Sequence, residues 1–251
     1  MDEIIERYEY KYLVPERLVP EIRRAALSTS SLDKYAGPDG RYRIRSLYLD
    51  TDRYDLFWAN SREQGDRFKA RIRTYPGKKS PVFFEIKRRV LDVIVKTRAA
   101  VPMDLYRDVL ACKESALASL SGSAQKGVMK FLAPYHRHHL RPAMLVDYER
   151  EAYISDIDVY ARLTFDRNIV VQQRDNLCLD ADERRFRAVD HTAQTKTLEP
   201  VCVLELKFER RPPVWMSTLV RRLELTRASF SKYCYSVRAE LTLPERRIAR
   251  Y

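Results

Sequence analysis

The stretch RFKARIRTY, residues 67–75, sets Arg67, Lys69, Arg71 and Arg73 at alternate positions, with Phe68, Ala70 and Ile72 between them. A strand sends alternate side chains to opposite faces, so one face here is apolar and the other carries four cations. Like charges side by side repel, so such a row calls for an anion in front of it. Arginine suits phosphate, because its planar fork grips two phosphate oxygens at once. The chemistry open to this face is the binding of an anion: a nucleic acid, an anionic membrane or a phosphorylated small molecule.

The same alternation recurs along the chain. RYEYKYLV puts Arg7, Glu9 and Lys11 on one face and Tyr8, Tyr10 and Tyr12 on the other, and RYRIRSLYLD opens with Arg41, Arg43 and Arg45 against Tyr42 and Ile44. VFFEIKRR sets Glu85, Lys87 and Arg89 against Val82, Phe84 and Ile86, and VIVKTRAAV sets Lys96 and Arg98 against Val93 and Val95. ARLTFDR sets Arg162, Thr164 and Asp166 against Leu163 and Phe165, and VCVLELKFE sets Glu205, Lys207 and Glu209 against Cys202, Leu204, Leu206 and Phe208. In VDYEREAY, Arg150 stands opposite Asp147, Glu149 and Glu151, and periodicity leaves open which face looks inward. One such strand is an ordinary solvated face. Six or more form a continuous basic field. Closing the sheet into a barrel turns that field inward, where unpaired cations need anions.

The elements that must position these residues can be read around them. Eight segments pattern as strands, at about 6–14, 41–50, 67–75, 81–89, 92–101, 143–154, 160–171 and 201–209. Helical patterns occupy 56–62, 103–120, 123–140 (broken at Pro134) and 215–225, and 172–198 reads as a hairpin and loop. No linker divides the chain, so a single domain over 1–251 is expected: α+β, an antiparallel eight-stranded β-barrel tunnel with a basic and acidic lumen, flanked by helices.

Composition agrees. Lys plus Arg number 47 against 35 Asp plus Glu, a formal charge of +12 on a chain that is 45% hydrophobic, so a folded protein with an anionic partner is expected. Six glycines and no Walker A loop exclude phosphate cradling by a glycine-rich backbone, so side chains must do it. Cys112, Cys178, Cys202 and Cys234 lack paired spacing, the N-terminus has no signal-peptide pattern, and no apolar run has membrane-spanning length. A cytoplasmic chain without a membrane segment is expected. His136, His138 and His139 read as a solvated basic helix end, and Ser229, Ser231 and Tyr233 have no partnering histidine for a nucleophilic triad.

YEYKYLV, RSLYLDT, RFKARIRTY, FFEIKRR, VKTR, VDYEREAY, ARLTFDR, LELKF and SFSKY follow one another over residues 6–235. In that order they resemble the VTC-type polyphosphate polymerase domains of the triphosphate tunnel metalloenzyme (CYTH-like) superfamily. The resemblance implies synthesis of polyphosphate from the γ-phosphate of ATP, with Mn²⁺ or Mg²⁺. It makes Lys11, Arg45, Arg71, Arg73, Lys87, Lys96, Arg150 and Arg162 phosphate ligands, with Lys207 assisting. Lys232 joins Arg71 and Arg73 at the chemistry, Glu205 takes the metal, and Glu85 or Glu9 supplies further carboxylate oxygens to it. Where the superfamily often opens Glu-x-Glu-x-Lys, this chain has Arg7, Glu9 and Lys11, which argues against the thiamine-triphosphatase and class IV adenylate cyclase branches. Ser229 stands where some VTC domains have a second basic residue.

Other readings are a tripolyphosphate or nucleoside-triphosphate hydrolase on the same fold, a non-catalytic polyphosphate-binding module and, more remotely, a nucleic-acid-binding domain. Single-strand binders put aromatic platforms beside their cations. Here Tyr8, Tyr10, Phe68 and Phe84 lie opposite theirs, so ATP and polyphosphate, with no nucleic acid, are the expected partners.

Overall fold

In the computed structural model, residues 7–91 and 93–241 are described. The strands are β1 (Arg7–Pro15), β2 (Ser30–Leu32), β3 (Arg41–Asp50), β4 (Asp66–Thr74), β5 (Val82–Val90), β6 (Val93–Val101), β7 (Arg141–Ser155), β8 (Ala161–Gln173), β9 (Arg187–Ala188) and β10 (Val201–Glu209). The helices are α1 (Val19–Leu27), α2 (Asp55–Ser61), α3 (Tyr106–Leu110), α4 (Glu114–Ala118), α5 (Gly122–Arg137), α6 (Thr192–Thr195), α7 (Val214–Arg222) and α8 (Lys232–Glu240). All eight expected strands form, apart from residues 6 and 92, which lie outside the described residues.

Those eight strands make one antiparallel path, β1-β10-β8-β7-β3-β4-β5-β6, with the short β2 and β9 paired off it to β7 and β8. The path is an open sheet, since no ladder joins its ends β1 and β6. It nevertheless curls: Lys87 of β5 reaches Glu9 of β1 at 3.1 Å. Strands from opposite ends of the path thus meet through side chains, and the concave face between them is a tunnel-like lumen.

The convex face is apolar for the reason the alternation implies. Leu47, Ile72, Phe84, Val101 and Val109 are fully buried in a core with Phe131 of α5. Tyr12, Phe165, Leu204 and Phe208 bury against Ile22 of α1 and Met216 of α7. A third cluster fills part of the concave side, where Ile44, Tyr48, Val146, Tyr148 and Val203 pack on Tyr233 and Val237 of α8.

Two helical expectations change. Residues 103–120 form α3 and α4 instead of one helix, because the chain turns through Cys112 at φ 56°, in the left-handed region that no helix continues through. Residues 122–137 are one helix, unbroken at Pro134. That proline sits in the last turn, where its missing N–H forfeits a single bond before the helix ends. α5 also lies very close to β6: a Cβ on Gly127 would meet the Ala99 Cβ at 3.0 Å.

Candidate functional site

The ladders fix which residues share the lumen, because directly paired residues point to the same side. Arg71 pairs with Glu85, Lys69 with Lys87 and Arg73 with Phe83. Glu85 pairs with Arg98 and Lys87 with Lys96. Across the other half, Lys11 pairs with Glu205 and Glu9 with Lys207, Lys207 with Arg162, and Arg150 with Asp166. The curl turns these two rows toward each other.

Each row gathers around a buried carboxylate. Glu205, 4% exposed, takes Lys11 at 3.3 Å and Lys232 at 3.5 Å on one oxygen. Its other oxygen takes Arg150 at 3.2 Å and Lys207 at 2.9 Å. Asp166 stands beside it, gripped by both arms of Arg150 at 2.6 and 2.7 Å and by Lys232. Glu9 flanks the group, 3.4 Å from Lys11 and 3.8 Å from Lys207. Facing them, Glu85 collects Arg71 at 2.6 Å, Arg73 at 3.6 Å, Lys96 at 3.4 Å and Arg98 at 3.5 Å.

Lys232 comes from outside the sheet. Ser231 caps α8 by accepting the Cys234 N–H at 3.3 Å, and this fixes the helix's first residue at the lumen. Tyr233 stacks on Tyr48 at 5.0 Å and donates to Asp50, which anchors the helix. Lys232 then lies over the Tyr148 ring, 4.6 Å from its centroid.

The electrostatics follow the pairing. Burial alone would raise the Glu205 pKa, but Lys207, Lys11, Lys232 and Arg150 hold it well below the carboxylate range. Asp166, Glu85 and Glu9 are likewise held low against the opposing effect of burial, chiefly by Arg150, by Arg71 and by Lys207 respectively. Lys232 is pushed up by Asp166 and Glu205 although burial opposes this. Lys96 behaves differently: burial brings it down to about 8, with Arg71 and Arg73 adding to the fall and Glu85 opposing it. Several inner-face polar atoms are buried without a hydrogen-bond partner, namely Arg73 Nε, Glu85 Oε1, Ser46 Oγ and Thr164 Oγ1.

Of the residues singled out by sequence, Lys11, Arg71, Arg73, Lys87, Lys96, Arg150, Arg162, Lys207, Glu9, Glu85, Glu205 and Lys232 share this lumen. Arg162 sits to one side, bound to Asp33 at 2.6 Å and the Tyr42 hydroxyl at 2.9 Å. Arg45 does not join them. β3 pairs Ser46 with Arg73 and Tyr48 with Arg71, so Arg45 stands on the convex face, tied to Asp147 at 2.7 Å and the Leu179 carbonyl at 3.1 Å. The three candidate metal carboxylates also separate: Glu205 and Glu9 share Lys11 and Lys207, while Glu85 has its own set of cations. Among the described residues no group of three or more His, Cys, Asp or Glu could hold a metal alone.

Sequence reasoning assigned no role to Asp166, Arg98 or Lys69, although each shares parity with an assigned neighbour. It had no access to Asp33, which meets Arg162 from 129 residues away. Tyr8, Tyr10, Phe68 and Phe84 do lie on the convex side, but Tyr42, Tyr48, Phe83 and Tyr148 stand among the lumen cations. Aromatic rings and cations are therefore less segregated than the alternation implied. No helix of the described residues is long and apolar enough to cross a membrane.

The model of the VTC domain family matches residues 6–241. No curated protein matches the chain. Among solved structures, the chain is similar to a candidate adenylate cyclase from Bacillus halodurans at 14% identity, covering 89% of this chain and 92% of that one, with TM-score 0.48. It is also similar to a candidate adenylyl cyclase from Hippeastrum described as having a dominant triphosphatase activity, at 13% identity, 95% and 98% coverage and TM-score 0.48. A Pyrococcus horikoshii protein is similar at 11% identity, 92% and 98% coverage and TM-score 0.44.

Proposed function

The chain belongs to the VTC domain family, and from that premise we propose that it transfers the γ-phosphate of ATP to the end of a growing polyphosphate chain within the lumen. The observation that supports this reading is the pair of buried carboxylates, Glu205 and Glu85, each ringed by four cations on facing walls. A phosphate chain between the walls offers those cations an alternative anion. Arg71, Arg73, Lys96 and Arg98 would bind it from one side, and Lys11, Arg150, Lys207 and Lys232 from the other.

A divalent ion, Mn²⁺ or Mg²⁺, fits the donor chemistry only as an ion shared with substrate. Such ions are held by one or two carboxylates plus phosphate oxygens, and Glu205 with Glu9 beside it supplies that many. When bound, the ion would neutralise charge on the phosphates. Glu85 sits apart from that pair and serves as a counterion that spaces Arg71, Arg73, Lys96 and Arg98.

In the proposed reaction a terminal phosphate oxygen of the chain bonds to the γ-phosphorus, the bond to the β-phosphate oxygen breaks, and ADP leaves. Arg71 and Arg73 stabilise charge on the transferred group. Lys232, kept charged by Asp166 and aimed by α8, orients the attacking terminal phosphate.

The test is incubation of the purified protein with ATP and Mn²⁺ or Mg²⁺, with products resolved by gel. Metal-dependent ladders of polyphosphate support the reading. Free phosphate without chain growth would assign a hydrolase, and no turnover with tight polyphosphate binding would assign a binding module.

A further inference from the structure

On the wall formed by β4, the lumen row continues past Arg73 and Arg71 to Lys69. Lys11, Lys87, Lys96, Lys207 and Lys232 are each held by a carboxylate. The Lys69 side chain, half-buried on the same face, has no ion pair or hydrogen bond among the described residues. Its Cα partner is another lysine, Lys87, and Lys11 stands close enough across the lumen to act on its charge. Three ammonium groups therefore converge, and of these three Glu9 pairs with Lys11 and Lys87 but not with Lys69.

From this geometry we infer that Lys69, with Lys87 and Lys11, forms an additional phosphate subsite that takes a chain longer than three phosphates. Resting on the polyphosphate reading above, it deepens that reading by naming a determinant of chain length. Alternate residues on one strand face are about 7 Å apart. A phosphate chain lying along Arg73 and Arg71 therefore reaches Lys69 only if it extends beyond them.

The groups facing Lys69 suit an anion, since three of the four are cations. They are Arg67 on β4, Lys87 on β5, Lys11 on β1 and Cys234 on α8. Burial, with repulsion from Lys11 and Lys87, lowers its pKa to about 8, and Cys234 acts in the opposite direction. Binding of a phosphate there restores the full charge, so the subsite takes up a proton near pH 8.

The test compares Lys69→Met and Lys69→Arg with the wild-type chain in calorimetric titrations, without metal, using inorganic tripolyphosphate and long-chain inorganic polyphosphate. Thermal unfolding without ligand checks that each variant folds. Lys69→Met is expected to weaken long-chain binding about tenfold, the scale of a lost charge-assisted hydrogen bond, and tripolyphosphate binding by about threefold or less. Lys69→Arg should restore most of the loss. Equal losses for both ligands, or none for the long chain, overturn the subsite while leaving the tunnel reading intact. A wild-type chain that binds neither ligand overturns both.

Discussion

Glu205→Gln separates the carboxylate's work as counterion from its proposed work as metal ligand. The wild-type group is 4% exposed and within 3.5 Å of Lys11, Lys232, Arg150 and Lys207. Removing one partner of a buried ion pair costs about 3–5 kcal/mol. Glutamine keeps one acceptor oxygen and Asp166 still holds Arg150 and Lys232, so the lower end, about 3 kcal/mol, is expected. For a chain of this size that lowers the melting temperature by about 6–12 °C. A polyanion in the lumen replaces the missing charge. Inorganic tripolyphosphate at a hundred times its Kd stabilises wild type by about 2.7 kcal/mol, and at that same concentration it should stabilise the variant by more, because its affinity for the variant is higher. Circular dichroism melts with and without tripolyphosphate, in the absence of metal, read both quantities. ATP turnover with Mn²⁺ reads the third, which should be lost. A variant that melts within about 2 °C of wild type and gains nothing extra from tripolyphosphate would refute the counterion argument. Normal metal-dependent turnover would refute the metal assignment.

Arg71→Ala should weaken tripolyphosphate binding by about 1.5–3 kcal/mol, whereas Arg45→Ala should lower stability and leave that affinity unchanged by calorimetry. Lys232→Ala should reduce the rate of product formation by a larger factor than it reduces ATP affinity, and equal factors would make it a plain binding residue. The carboxyls of Glu205, Asp166, Glu85 and Glu9 lie below their unfolded values, so their stabilisation is full above roughly pH 4–5 and is lost as pH falls through the folded values. Urea midpoints should hold steady from pH 7 to 5 and drop at pH 3, and a flat profile would contradict the pairing. With Lys96 near 8, anion binding between pH 8 and 9 should take up protons, seen as a dependence of calorimetric heat on buffer ionisation enthalpy.

Much of this architecture was legible because period-two alternation runs through most of the long strands, with β3 and β7 as the exceptions. α1 and α8 were not. Each is a single short amphipathic segment, and α8 begins within SFSKY, where the capping Ser231 was read as part of a motif and not as a helix start. The misplacement of Arg45 has a more instructive cause. On β3 the face of Arg41, Arg43 and Arg45 continues into Leu47 and Leu49, which lie in the convex core with Ile72 and Phe84. The leucines therefore carried the correct side, whereas Arg45 was placed in the lumen by the family resemblance. Arg150 is the converse case, ambiguous until the β3 register placed it opposite Tyr42 on the lumen side.

The carboxylates mark where sequence reasoning must stop. A metal ligand and an internal counterion demand the same residue type, on the same face, between the same cations. Parity put Glu9, Glu85 and Glu205 into one class. Only the curl of the sheet divides them, by bringing Glu9 beside Glu205 through shared lysines and leaving Glu85 with four cations of its own. On the proposed reading, that division gives Glu85 the task of spacing arginines that would otherwise repel, and gives Glu205, with Glu9 beside it, the task of balancing charge while sharing an ion with a phosphate chain.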